Sequence, residues 1–361
     1  MKQTLKHAQE EKKMTEKNEY YSEEKHGPHE YFELGDFSLV SDEVLLGARI
    51  AYKTAGVLNE AKDNAILFPH MWSGTSASME SFVGSDRPLD PSKYFIIFPG
   101  QFANGFSTSP SNAATPQNGG NFPNIMIGDD VVAQHRLVTE KFGISQLQLV
   151  TGWSMGAEQT YEWAVRYPDM VKRAAPIAGT AKTTPHNYIF VRSHENAIKS
   201  DPAWAGGLYS KSSDVHVGLQ RHAETWSVMG LCSDFYKQEI WREIGFDSLE
   251  GFLTGFWGAY FAPMDPNNLI WMGWKWRHGD VSLNTENDLD VALSSIKAKV
   301  TAVAFSNDMF FPPTDIEAEV NKIPNAQYEE IESLWAHFAM FCMNDRDKNA
   351  IDEVYRRVLA S

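Results

Sequence analysis

The sequence predicts an α/β fold, a doubly wound and mostly parallel sheet carrying an inserted, mainly helical cap. Three observations predict it. Two near-continuous apolar runs, Ala65 to Pro69 and Tyr94 to Phe98, each open into a Gly/Ser-bearing loop, as strands covered on both faces do. Strand-like and helix-like segments then alternate as far as Ile177. From about Thr184 to Ser295 strand signals become few, and Trp204, Trp226, Trp241, Trp257, Trp271, Trp274 and Trp276 crowd a helical pattern. That segment reads as a cap over the C-terminal edge of the sheet.

The 361 residues could hold two domains, but an α/β fold with insertions reaches this length as one unit. The expected organisation is a charged, flexible tail over 1–28 outside the fold, core over 29–183, cap over 184–296, and core again over 297–361. In order, Tyr31 to Leu46 reads as a hairpin turning at Ser41-Asp42, and Arg49 to Thr54 as a third strand. After the two apolar strands comes a polar loop, Gln101 to about Pro123; loops this long inside a compact domain are frequently functional. Ile127 to Phe142 has helical spacing and a stop at Gly143. Gln148 onward gives a strand and then a helix, and Lys172 to Ile177 a further strand. Strand character returns at Lys299 to Phe305 and Gln327 to Ile331, with helices at Thr314 to Asn321 and about Lys348 to Leu359.

Composition narrows the chemistry. A formal charge of -15 with no basic stripe argues against nucleic-acid or anionic-membrane surfaces, both of which need cationic patches. No apolar run is long enough to span a bilayer, and Met1 to Lys25 lacks the apolar stretch of a secretion signal. Two cysteines, Cys232 and Cys342, make no disulfide framework and have no metal-ligand spacing, so a reducing, cytoplasmic location is expected. Neither a dinucleotide nor a nucleotide-phosphate glycine motif is present, and no zinc motif is, so no cofactor or metal is expected.

The chemistry concentrates in Gly152-Trp153-Ser154-Met155-Gly156, which joins the apolar run Leu149-Val150 to a helix-compatible segment. A G-x-S-x-G between strand and helix is the sharp turn that lifts a serine out as a nucleophile. The glycines leave room for that turn, and the following helix puts its positive end near the serine. A serine hydroxyl needs a base within hydrogen-bond reach and a carboxylate to orient the base. In hydrolases of this kind the order along the chain is Ser, acid, His, each after a strand. Asp308, after the strand ending at Phe305, and His337, after the strand ending at Ile331, meet that order. Competitors are weaker: His70 precedes the serine, and Asp315 lies within a helix. The oxyanion hole is expected from the backbone N–H of Met155, just after the nucleophile, and of Trp72 in the loop after the first apolar strand. The cap tryptophans have two readings, a narrow apolar pocket or plain packing; most should pack, and one or two touch substrate.

These residues carry a resemblance. Gly152 to Gly156, Tyr161-Glu162-Trp163-Ala164 and Tyr167-Pro168-Asp169 resemble the homoserine O-acetyltransferase family of α/β-hydrolase fold proteins. His70 to Gly74 is similar to that family's oxyanion loop, Ser107 to Ser111 to its S-T-G-P-S loop, and the segments around Asp308 and His337 to its acid and base segments. The resemblance runs in order from about Tyr31 to Leu359. It implies acyl-serine chemistry and a homodimer joined through the cap. The departures bear on the acceptor. The acetyltransferases carry a glycine where Trp153 and Ala157 stand, and a cap arginine associated with homoserine where this chain reads Glu195-Asn196-Ala197-Ile198. The elbow, Pro185-His186-Asn187 and Phe256-Trp257 look more like a branch that hydrolyses small acetate esters. The favoured expectation is therefore a serine hydrolase of small carboxylic esters. The alternatives are an acetyl-CoA-dependent homoserine acyltransferase and a non-catalytic binding protein on the same fold.

Overall fold

The computed structural model describes residues 18–361. Eight strands form one sheet in the order β1-β2-β4-β3-β5-β6-β7-β8: β1 Glu30–Ser38, β2 Val44–Ala55, β3 Ala65–Leu67, β4 Phe95–Pro99, β5 Leu149–Trp153, β6 Arg173–Ile177, β7 Lys299–Phe305 and β8 Ala326–Ile331. The first two strands pair antiparallel, β2 also runs antiparallel to β4, and every pairing from β4 to β8 is parallel. Every residue of β3, β4 and β5 is buried, as unbroken apolar runs require when helices cover both faces.

The structure differs from the expected elements near the N-terminus. The second arm of the hairpin and the expected third strand are one element, because β2 pairs with β1 through most of its length and then, from Tyr52 to Ala55, with β4 on its other side. Residues 1–17 of the expected tail lie outside the described residues, and the rest of it is not a tail. Asn18 donates to Ser212 Oγ (3.1 Å) and to the Pro263 carbonyl (3.0 Å), and the Tyr21 hydroxyl accepts the Asp265 N–H. Aromatic side chains at Tyr20 and Tyr21 dock this segment where charge alone suggested solvent, Tyr21 lying edge-on to Phe106.

Seven longer helices complete the layers. Helix α1 (Ile127–Arg136) continues through a π turn at Leu137–Lys141 and stops at Gly143 (φ +63°). Helix α2 (Met155–Arg166) leaves β5 directly. Between β6 and β7 the chain is helical, with α3 (Pro185–Lys199), α4 (His216–Gly230) and α5 (Pro266–Arg277) the longest pieces. Thr184 and Asp265 cap α3 and α5, each side chain accepting a first-turn N–H ahead of a proline that loses nothing there. Helices α6 (Pro313–Val320) and α7 (Asp345–Ala360) return to the sheet.

Cap and core are bolted together by a dry ion pair. Lys275 on α5 and Asp130 on α1, both without solvent exposure, approach to 2.5 Å (Nζ to Oδ2). Lys275 also donates to the Phe102 carbonyl (2.7 Å), while the Phe102 N–H donates to Asp130 (2.8 Å). Burial pushes the Asp130 carboxyl up to about 6, opposed by Lys275. The polar loop after β4 is thus largely an interior strut: Gln101, Ser107 and Ser109 have no exposed surface.

Candidate active site

The chain enters the site from β5. Ser154 takes φ +56° and ψ −121°, a region a side chain occupies only when its surroundings force it, at a cost of about 1–3 kcal/mol. The flanking glycines make that turn possible. A Cβ on Gly152 would lie 2.2 Å from the Gly156 carbonyl oxygen, and one on Gly156 would lie 2.5 Å from the Pro69 carbonyl oxygen. The elbow is therefore pressed against the loop after β3, and the Ser154 N–H is tied to the Ile177 carbonyl (2.9 Å).

Two later loops bring their side chains to the serine. His337 Nε2 lies 3.0 Å from Ser154 Oγ, and His337 Nδ1 lies 2.7 Å from Asp308 Oδ2. The other carboxylate oxygen of Asp308 accepts the N–H groups of Phe310 (2.8 Å) and Phe311 (3.1 Å), which fixes its plane. With Nδ1–H donating to Asp308, Nε2 is left bare toward the serine hydroxyl. Ser154, Asp308 and His337 are each at most 3 % exposed. All three residues singled out in the sequence meet in one hydrogen-bonded line.

Met155 and Trp72 are buried in adjoining elements, and neither backbone N–H donates a hydrogen bond among the described residues. Buried N–H groups are ordinarily paired, so these two are left as free donors, one next to Ser154 in sequence and one in the loop against which the elbow packs. His70 is occupied elsewhere: Nδ1 is 2.8 Å from the Met71 carbonyl oxygen and Nε2 accepts from Asn104 Nδ2 (3.0 Å), while burial lowers its pKa to about 3. Its place is to hold the loop after β3 against the Gln101 loop, with Gln101 donating to its carbonyl (2.7 Å). Asp315 sits inside α6 and has no bond to His337.

The departures around the elbow acquire different weights. The Trp153 indole points into the core, donating to the Tyr355 hydroxyl (3.0 Å) and packing on Phe82, so it does not face the serine. Glu195 is decisive. It stands where the resemblance would put a cap arginine, and it is a buried carboxylate paired with Arg277 (2.9 Å) and Lys199 (3.1 Å). Arg192 is exposed. The two cations at that place, Arg277 and Lys199, are both engaged by Glu195.

The cap tryptophans Trp226 and Trp276 meet an aromatic wall beside the triad whose other members, Phe310 and Phe311, the sequence did not single out as site residues. Phe310 packs edge-on to His337 (4.7 Å between ring centroids) and touches Trp226 (4.9 Å) and Phe190 (4.7 Å). Trp276 stacks on Phe311 (5.7 Å, 20°). The signal was Phe310-Phe311 directly after the orienting aspartate; residues two or three beyond a fixed carboxylate necessarily line its site. Trp241 instead packs on Phe252, and Trp257 on Phe338, the residue that follows His337.

Comparison with known proteins follows the same lines. Residues 64–341 match the family model for the alpha/beta hydrolase fold. The chain is similar to ethyl acetate hydrolase of Pseudomonas veronii, 46% identical over 345 residues, covering 95% of this chain and 99% of that protein. It superposes on the crystal structure of an acetylester hydrolase from Corynebacterium glutamicum with a TM-score of 0.93 at 45% identity, over 95% of this chain and 99% of the other. Homoserine O-acetyltransferase of Trichormus variabilis is 30% identical over 326 residues, 86% of this chain and 89% of that protein.

Proposed function

Since the chain belongs to the alpha/beta hydrolase fold family, we propose that its buried Ser154–His337–Asp308 line is the catalytic triad of a serine hydrolase acting on small acetate esters. The single observation carrying this reading is the relay itself, 3.0 Å and 2.7 Å long, on a strained elbow. Ser154 Oγ attacks the ester carbonyl carbon as its proton passes to His337 Nε2. The carbonyl oxygen becomes an oxyanion held by the N–H groups of Met155 and Trp72. His337 returns the proton to the departing alcohol, leaving an acetyl-serine. A water then gives its proton to His337 and attacks the acetyl carbon, and acetate leaves as Ser154 recovers its proton. Asp308 keeps Nδ1 protonated throughout and stabilises the imidazolium.

The small substrate is supported by enclosure, since the triad is almost without solvent exposure and walled by Phe310 and Trp226, and by the ethyl acetate hydrolase similarity. Hydrolysis rather than transfer to homoserine is supported by the paired Glu195 in place of a cationic clamp. A cytoplasmic location and a homodimer joined through the cap belong to the same reading. Two free cysteines support the first, and the exposed Val217 and Val228 of α4 the second.

The test supplies purified protein with ethyl acetate and, separately, with acetyl-CoA and homoserine. Acetate release from the ester, lost in Ser154→Ala, is the expected result. O-acetylhomoserine formed faster than acetate is released would overturn the hydrolase reading. Turnover unchanged in Ser154→Ala would overturn the serine mechanism. Tight ester binding with no turnover would favour a non-catalytic protein.

A further inference from the structure

A group of buried nitrogens beside the triad has no use in the hydrolytic steps. On the inner side of the cap, His194 of α3 and His222 of α4 lie edge to face, 4.8 Å apart, against Trp72 and Trp226. Among the described residues, neither ring nitrogen of His194 has a hydrogen-bond partner. His222 Nε2 has none, and neither do the indole N–H groups of Trp72, Trp226 and Trp276. Both histidines have no exposed surface, and the three indoles are at most 5 % exposed. An unpaired buried polar group typically costs about 1–3 kcal/mol, and six of them gather around this one cluster.

The cluster is bounded by the chemistry. On one side is Trp72, whose backbone N–H is the proposed oxyanion donor; its indole stacks on Trp226 at 5.0 Å and 24°. On the other is Phe310, in contact with both Trp226 and the catalytic His337. Burial keeps both cap histidines neutral, lowering His222 to about 3 and His194 well below its ordinary value. A neutral imidazole offers one N–H and one bare nitrogen, and an indole offers only N–H; the His222 Nδ1–H is given to the His194 carbonyl (3.2 Å), which leaves its Nε2 bare, so the free donors are those of His194 and the three indoles. The set is therefore rich in donors, uncharged and lined by aromatic faces. A charged group would lose its hydration there without a counter-ion. A neutral oxygen acceptor on a short chain would satisfy the donors.

We propose that His194, His222 and the neighbouring indoles form a specificity subsite for esters bearing a second, uncharged oxygen, such as an ether, hydroxyl or ketone, beyond the scissile bond. This rests on the ester-hydrolase reading and deepens it. Sites built to hydrogen-bond a substrate oxygen discriminate strongly against analogues that lack it, because their own polar groups are then stranded.

The experiment uses isosteric pairs. 2-Methoxyethyl acetate is compared with butyl acetate for the alcohol side, and ethyl 4-methoxybutanoate with ethyl hexanoate for the acyl side, where the added oxygen is too far from the carbonyl to activate it. The quantity read is the ratio of kcat/KM within each pair. In the wild-type protein the oxygen-bearing ester should be preferred by about tenfold or more in at least one pair. His194→Phe should bring that ratio to near one, and His194→Gln, which keeps a donor and an acceptor, should retain most of it. Ratios near one in the wild type, or a preference untouched by His194→Phe, would overturn the subsite; if that variant does not fold, Trp226→Phe, which removes an unpaired indole donor and keeps an aromatic face, carries the same comparison. Hydrolysis of ethyl acetate with both ratios near one overturns only the subsite. No hydrolysis of any ester overturns the underlying reading as well.

Discussion

Gly156 lies so close to the loop after β3 that a Cβ there would stand 2.5 Å from the Pro69 carbonyl oxygen and 3.1 Å from that of His70. That contact ties the two proposed oxyanion donors together, because Met155 precedes Gly156 and Trp72 follows His70 by two residues. Both neighbours are backbone atoms that cannot rotate away. Gly156→Ala should therefore destabilise the protein by about 1–3 kcal/mol, the usual range for overpacking, and lower kcat more than it raises KM. Urea melts and ester kinetics on the same preparation check both parts.

Asp308→Asn leaves a group of the same shape but reverses the hydrogen-bond demand on His337 Nδ1. The imidazole then presents the wrong tautomer to Ser154. Activity on p-nitrophenyl acetate should fall by about 10⁴-fold, with thermal unfolding little changed. A loss under tenfold would remove Asp308 from the proposed role.

The Lys275–Asp130 pair has no exposed surface on either side chain. Removing one partner strands a buried charge, so Asp130→Ala should cost about 3–5 kcal/mol in denaturant unfolding. The double variant Asp130→Ala with Lys275→Met should recover part of that loss, because both charges then leave the interior.

Glu319 on α6 accepts the N–H groups of Ala181 (2.6 Å) and Lys182 (3.2 Å), where the chain passes from the core toward the cap. Burial pushes its carboxyl up to about 8; Asp315 adds to this, while the two N–H groups and Lys322 oppose it. A raised carboxyl pKa means the folded state binds a proton more tightly than the unfolded chain. Its contribution is full below the unfolded value of about 4.5 and is lost as pH rises toward 8. Glu319→Gln should thus be more thermostable relative to wild type at pH 8.5 than at pH 5. Equal differences at the two pH values would overturn the account.

Much of the site was legible before any coordinates. G-x-S-x-G between a strand and a helix, an aspartate after β7 and a histidine after β8 are local signals, and each sits at a strand end that apolar runs marked. Fold class was legible for the same reason, since strands buried on both faces cannot afford polar residues. Residues 18–28 dock although lysines and glutamates dominate the segment's composition, because Asn18, Tyr20, Tyr21 and His26 make the contacts. Trp153 marks the ester-hydrolase branch by resemblance, while its indole lies in the core on Tyr355 rather than at the serine.

What the sequence determined by itself was the proposed reacting line, Ser154, Asp308 and His337 in that chain order, because each depends on a short stretch of backbone at the end of one strand. What only the tertiary structure decided was what surrounds that line. His194, His222, Trp72, Trp226 and Phe310 come from two cap helices and two core loops, and no spacing along the chain relates them. Their nitrogens become stranded only when those elements close on one another and exclude water, a property of packing that no single stretch of sequence carries.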